Sequence, residues 1–414
     1  MDTKFSITSR STSRLTRIVV SAAYGAQGFG YASVMTTLPT FKDKFGMSAT
    51  VVSMAVLLSC ATAAIGSLGA GAIGRRFGSR VSLSLGLALE AVSLVAVTSS
   101  GGLGMFMVTM AVYGMGLGAV DAATAMQGVV VERRLGRGVM SGFFAVYTAG
   151  AILAALAVSA AVSQHIALAG VIGAAILTAV VAMAGWWFFA VDLPESGQHP
   201  AGQPVVGAAA TPGRPAGHGL SVRGGIWLFG TAILVVFTAD SAVSTWSTEY
   251  LQNSLMALPA VAPLGYAAYQ AVVLISRLTG DRLAGRLGRR ILVATASFTG
   301  IAGFALVALV HTLPAAIVGF AIVGIGVGLI VPMTFSAAGE VDPGQSDRII
   351  SSMNTFNYVG AVIGGGVIGP LADTGIGMAA AFLLPALFLA VMPVLSRFYG
   401  ARRHAAPEPV LLPH

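Results

Sequence analysis

Along most of this chain, apolar residues do not alternate with polar ones at a helical period. They run on in stretches of about twenty or more, separated by short clusters of arginine, glycine and proline. That is the length an α-helix needs to cross the hydrocarbon core of a bilayer. Six such runs lie at roughly 17–40, 48–70, 80–99, 103–128, 140–163 and 166–190, and six more at roughly 225–250, 258–280, 290–310, 313–337, 349–371 and 377–396. Between the sets, Pro194, Pro200, Pro204, Pro212 and Pro215 stand among glycine and alanine with no helical period, which is the composition of a linker. The pattern predicts an all-α membrane protein of twelve spans. An N-terminal six-helix bundle occupies 1–190, a cytoplasmic linker 191–223, a C-terminal six-helix bundle 224–397 and a tail 398–414.

Composition agrees: 56% of residues are hydrophobic, 9% are charged and mean hydropathy is +0.85, so the lipid bilayer is the expected solvent. The net charge of +8 points to topology rather than to nucleic acid, because the basic residues sit in short loops. Of the 23 Lys and Arg, 21 fall at the N-terminus, in the linker, in the tail or after even-numbered spans, leaving Lys42 and Lys44 opposite. Both termini and the linker are therefore expected in the cytoplasm. The sequence also repeats itself. A shift of 210 residues lays Arg76–Arg80 on Arg286–Arg290, Gly114–Gly118 on Gly324–Gly328, and Gly30 on Asp240. Parallel repeats of six spans are the pattern of rocking transporters.

With these features the chain resembles the major facilitator superfamily over essentially its whole length. The carrying elements are the twelve spans, the linker and a basic glycine turn after spans two and eight. In the superfamily that turn is similar to Gly-x-Leu-Ala-Asp-Arg-x-Gly-Arg-Arg. Here it reads Gly71-Ala72-Ile73-Gly74-Arg75-Arg76-Phe77-Gly78-Ser79-Arg80, with Arg75 in the place of the acid, and Leu283-Ala284-Gly285-Arg286-Leu287-Gly288-Arg289-Arg290. The stretches Gln127–Met140 and Ala239–Leu251 look like a bacterial branch with sugar-permease-like members. The fifth span lacks the Gly-Pro-x-x-Gly-Gly element of many drug antiporters. The resemblance implies two pseudo-symmetric bundles and alternating access, and makes the third span peripheral.

Four acids fall within spans or near their ends: Glu90, Asp121, Asp240 and Glu249. An ionisable group there costs at least about 2.5 kcal/mol and is by default a functional-site hypothesis. Asp121 lies roughly 17 Å along its helix from Glu132, near mid-bilayer. These four are the expected proton-coupling or substrate groups, with a supporting role expected for Glu90. All six histidines fall in loops, linker or tail on this map, and no Lys or Arg occupies the middle of a span. Proton coupling is therefore expected at carboxylates, and a neutral or cationic substrate, or a weak acid held by dipoles. Gln27, Tyr31, Gln127, Tyr147, Trp246, Tyr269, Gln270, Asn354, Asn357 and Tyr358 are expected to line the cavity, packing side chains being the alternative for each tyrosine. A cytoplasmic gate is expected from Arg75, Arg76 and Arg80 with Glu132, beside Arg133, and from Asp281, Arg286, Arg289 and Arg290 with Glu340 or Asp347; topology-setting charge is the alternative.

No His-Glu-x-x-His, Gly-x-Gly-Asp or phosphate-cradling Gly-x-x-x-x-Gly-Lys occurs, so neither an enzyme nor an ATP-driven pump is expected. No cofactor or metal site is expected either. The expected function is a monomeric secondary transporter of a small molecule, coupled to protons. Export of a hydrophobic or cationic compound is preferred over uptake of a sugar or other polar nutrient. A membrane sensor is a third reading, disfavoured by the short tails.

Overall fold

The computed structural model describes residues 3–135, 139–166, 168–190, 221–342 and 346–400, and every regular element among them is helical. The first six helices are α1 (Thr3–Phe45), α2 (Ala49–Phe77), α3 (Ser79–Thr98), α4 (Leu103–Leu135), α5 (Met140–Ser163) and α6 (Ala169–Phe188). The next five are α7 (Val222–Glu249), α8 (Pro263–Leu287), α9 (Arg289–Leu309), α10 (Leu313–Gly339) and α11 (Ser346–Gly366). The twelfth span is a succession of short helices, Gly377–Ala381, Leu383–Leu389 and Met392–Leu395. Pro385 and Pro393 each remove a backbone donor there. The expected linker, but for its last three residues, and the tail from 401 lie outside the described residues.

Nine helices among the described residues are long and apolar enough to cross a membrane. Helix α8 falls short because Arg277, Asp281, Arg282 and Arg286 occupy its last three turns. Both basic turns behave alike. Gly78 (φ 87°) ends α2 and begins α3, and Gly288 (φ 78°) does the same for α8 and α9. A side chain at either φ is strained, so these two glycines set where the helices stop.

The 210-residue repeat is a packing repeat. Helix α1 packs on α5 as α7 does on α11, and α2 and α3 pack on α4 as α8 and α9 do on α10. The glycine steps explain the close approach. A methyl group at Gly114 would stand 2.3 Å from the Ser59 carbonyl oxygen, and one at Gly324 would stand 2.6 Å from that of Tyr269, again 210 residues on. Gly118 and Gly328 face Ala63 and Val273 in the same way. With lipid on the outside, such small-residue seams let backbones meet where no hydrophobic force drives them together.

The two sets of six meet through α5 on α8, α2 on α11 and α1 on α7, with a group of polar contacts at the end of Lys42. There Lys42 of α1 pairs with Glu249 of α7, and Gln252 Nε2 donates to Asp43 Oδ2 at 3.2 Å. Asp373 Oδ2 accepts from the backbone N–H of Thr50 at 2.8 Å and from its hydroxyl at 2.7 Å, a carboxylate from the second half set at the N-terminus of α2. The Ser159 hydroxyl donates to the Ala260 carbonyl, and Ser53 Oγ to the Gly365 carbonyl at 3.4 Å. At the opposite, arginine-rich end, no ion pair joins the halves among the described residues.

Candidate functional site: a polar chamber between the halves

Midway along α4, Asp121 is exposed although protein surrounds it on every side. A side chain in that position lines an internal space. Its Oδ1 accepts a hydrogen bond from Nε2 of Gln27, a buried amide of α1. On the facing half, Asp240 of α7 accepts from the hydroxyl of Tyr269, and Nε2 of Gln270 donates to Tyr266 Oη at 2.6 Å. Tyr147 of α5 lies within electrostatic range of Asp121, Asp240, Tyr31 and Tyr266. Tyr358 of α11 reaches Ser67 and lies within range of Asp121. Tyr31 lies near Ser244, Cys60 and Asp240. Asp240, Tyr31, Tyr147, Asn357 and Tyr358 are all half-buried, as wall residues of a partly open space are.

The chamber also holds a cation, which corrects the expectation that no Lys or Arg enters mid-span. Because Gly288 carries α8 on to Leu287, Arg277 stands ten residues, about 15 Å, inside the helix end. Its Nη1 donates to Thr148 Oγ1 of α5, in the opposite half, at 3.1 Å. Asp240, Tyr266 and Tyr269 lie within its electrostatic reach. The arrangement offers a solute two carboxylates, one guanidinium and the half-buried phenols of Tyr31, Tyr147 and Tyr358, contributed by both halves, with Gln27, Gln270, Tyr266 and Tyr269 buried behind them.

A model of the Major Facilitator Superfamily matches residues 20–365 and again residues 228–412. The chain belongs to that superfamily. It is 26% identical over 380 residues to an uncharacterized MFS-type transporter of Yersinia pestis, covering 91% of this chain and 93% of that one. Its fold is similar to that of a variant of the nucleoside transporter NupG, with a TM-score of 0.73 at 12% identity over 93% of this chain and 99% of that one. It is also similar to the E. coli fucose:proton symporter FucP, with a TM-score of 0.59 at 17% identity over 92% and 98%. The twelve-span fold and membership of a transporter family, rather than an enzyme family, are thereby shown.

Within this superfamily frame, several expected site residues have other occupations. Gln127 is fully buried: Nε2 donates to Ser79 Oγ at 2.8 Å and to the Ala190 carbonyl at 3.0 Å, while Oε1 accepts from the Ala190 N–H at 2.9 Å. An amide so saturated joins α4 to the ends of α3 and α6 and has nothing left for a solute. Trp246 is likewise buried, its indole N–H spent on the Gly365 carbonyl at 3.1 Å. Glu249 is bound to Lys42 and to Asn253 Nδ2 at 2.9 Å, so it serves in the contact between halves. Glu90 is completely buried and makes no hydrogen bond among the described residues. It packs against the glycine steps Gly30 and Gly116, within electrostatic range of Asp121. The side chain of Asn354 lies outside the described residues.

Among the described residues one expected gate pair forms, Arg289 with Glu340, and it lies inside the second half. Glu132 Oε1 instead accepts from the backbone N–H groups of Val139 and Met140 at 2.7 and 3.0 Å, capping α5. Arg289 forms a two-pronged pair with Glu340, 2.8 Å on each prong, inside the second half. Arg80 lies over the ring of Trp186 and Arg76 over that of Phe77. Arg75, Arg76, Asp281, Arg286 and Arg290 are exposed, and the side chains of Arg133 and Asp347 lie outside the described residues. The Lys42–Glu249 and Thr50–Asp373 contacts were missed in the sequence because each joins two loops or helix ends more than 200 residues apart.

Proposed function

We propose that the protein is a secondary active transporter of the bacterial cell membrane that moves a small polar organic molecule by alternating access, exchanging a proton at Asp121 or Asp240. The observation that carries this reading is that Asp121 and Asp240 both stay accessible within helices of opposite halves, with Tyr147 near each. Carboxylates in that setting lose their charge on taking up a proton, and the energetic barrier to moving them across a closing, dry interface falls with it. The arginine-rich end and both termini are assigned to the cytoplasm, which the distribution of loop arginines supports. The state described faces inward, latched at its outer end by Lys42–Glu249 and Thr50–Asp373. One chain supplies both halves of the chamber, so a monomer suffices.

The hydrogen-bonding walls favour a polar solute over a purely hydrophobic one. The structural neighbours, a nucleoside transporter and a fucose:proton symporter, share the fold, and their cargo is of the same polar class. A second reading, export of an organic cation, draws on the aromatic faces of Tyr31, Tyr147 and Tyr358 set beside two acids. The test is dissipation of an imposed pH gradient in vesicles by a panel of hexoses, nucleosides, organic acids and organic cations. It is run for wild type, Asp121→Asn and Asp240→Asn. The proposal expects a polar solute to dissipate the gradient in wild type and one of the two variants to abolish the effect. Dissipation by organic cations alone establishes the second reading, and dissipation unchanged in both variants removes the two acids from proton coupling.

A further inference from the structure

We propose that Arg277 anchors an acidic group of the transported molecule, so that the substrate is a small polar organic acid carrying one carboxylate. This deepens the reading above and rests on the same chamber. A guanidinium far inside a membrane span is costly and is kept where it meets an opposite charge or a functional demand. Here its one hydrogen bond among the described residues goes to a neutral hydroxyl, Thr148 Oγ1. Neither of the two ion pairs among those residues includes it. Asp240 is within electrostatic reach, but it is bonded to the Tyr269 hydroxyl instead.

Arginine presents five N–H donors in a planar fork whose geometry matches a carboxylate. One donor is spent, and the half-buried side chain leaves others accessible. The groups around it suit the rest of a polar acid. The Tyr266–Gln270 pair lies on the same helix, and the Tyr147 and Thr148 side chains come from across the interface. With Asp240 protonated, as the proton exchange proposed above requires, the guanidinium is left to neutralise one negative charge of the solute. A phosphomonoester, carrying between one and two charges, would leave part of its charge uncompensated, so a monocarboxylate is the better match.

The experiment is ligand-dependent thermal unfolding of the purified full chain in detergent, with acids matched to neutral counterparts. Suitable pairs are glucuronate with glucose, lactate with glycerol and benzoate with benzyl alcohol, each titrated at constant ionic strength. The proposal expects saturable stabilisation by at least one acid and none by its neutral counterpart. Arg277→Gln should weaken that acid by at least about tenfold, since a charge-assisted, two-pronged contact is lost. Thr148→Val removes the hydrogen bond that orients Arg277 but not the charge, and should weaken the acid less than Arg277→Gln does. If Arg277→Gln does not fold, Arg277→Lys replaces it and should bind the acid several-fold more weakly than wild type, having lost the fork. Stabilisation by no acid, equal stabilisation by acid and counterpart, or acid binding unchanged in the Arg277 variant would overturn the proposal. Because binding is read without a gradient, acid binding can succeed where the proton-coupled reading fails. Conversely, transport of neutral solutes alone leaves that reading standing without this one.

Discussion

Replacing Gly369 by alanine should unlatch the outer seal. A methyl group there would stand 2.2 Å from Ser53 Oγ and 2.4 Å from the Ala49 carbonyl oxygen, both on α2 of the other half. The hydroxyl can rotate away, but a backbone carbonyl cannot. Ordinary contact begins near 3.4 Å, so the short helix Ile368–Leu371 that follows α11 and carries Gly369 must move back from α2 by about 1 Å. Overpacking of this kind costs about 1–3 kcal/mol, and here the cost falls on the latched state alone, since the clash is between halves. A difference of that size shifts the balance between latched and open forms by about 5- to 150-fold. The assay is distance measurement between spin labels at Ser99→Cys and Leu258→Cys, both exposed near the Lys42 end, in a Cys60→Ser background. Gly69→Ala, where an added methyl group meets nothing within 4 Å, is the control. The reasoning expects a longer-distance population in Gly369→Ala only. A distribution identical to the control's would refute it.

Other substitutions probe the remaining contacts. Lys42→Ala leaves the buried Glu249 carboxylate with Asn253 as partner and should raise the open population more than Lys42→Ala combined with Glu249→Gln does; the same spin-label pair reads the difference. Gln127→Leu strands the buried N–H and carbonyl of Ala190 and should destabilise the fold by about 1–3 kcal/mol per group; thermal unfolding should fall while transport by the surviving protein persists, and a transport defect at unchanged stability would return Gln127 to the chamber. Gly288→Ala forces a side chain into φ 78° and should cost about 1–2 kcal/mol, read as a lower midpoint of thermal unfolding, whereas Gly285→Ala, which meets nothing within 4 Å, should cost little.

What could be read from the sequence was set by distance along the chain. Hydrophobic length and repetition are local properties, so the twelve spans, the basic turns and the 210-residue offset were legible, and the offset proved to be a packing register. Asp121 and Asp240 were legible because a carboxylate in an apolar run has few explanations. Lys42–Glu249 and Arg277–Thr148 were not, since pairing across 207 and 129 residues is decided by how the halves dock. Gln127 misled because an amide in lipid needs partners, and the sequence does not tell a solute from the Ala190 backbone. Arg277 carried a readable signal. The repeat sets it against Ser67, ten residues before the end of α2 at Phe77, and lays Gly288 on Gly78, which carries α8 past the expected end at 280.

The most direct test of one-sided access uses the chain's single cysteine, Cys60, half-buried on α2 near Tyr31 and Tyr358. A membrane-impermeant thiol reagent is applied to right-side-out and to inverted vesicles, and modification of Cys60 is followed by mass shift. With the outer end latched, the account predicts modification from the cytoplasmic face and protection from the outer face, with Gly369→Ala restoring outer reactivity. Equal reaction from both faces, or reaction from the outer face alone, would contradict it.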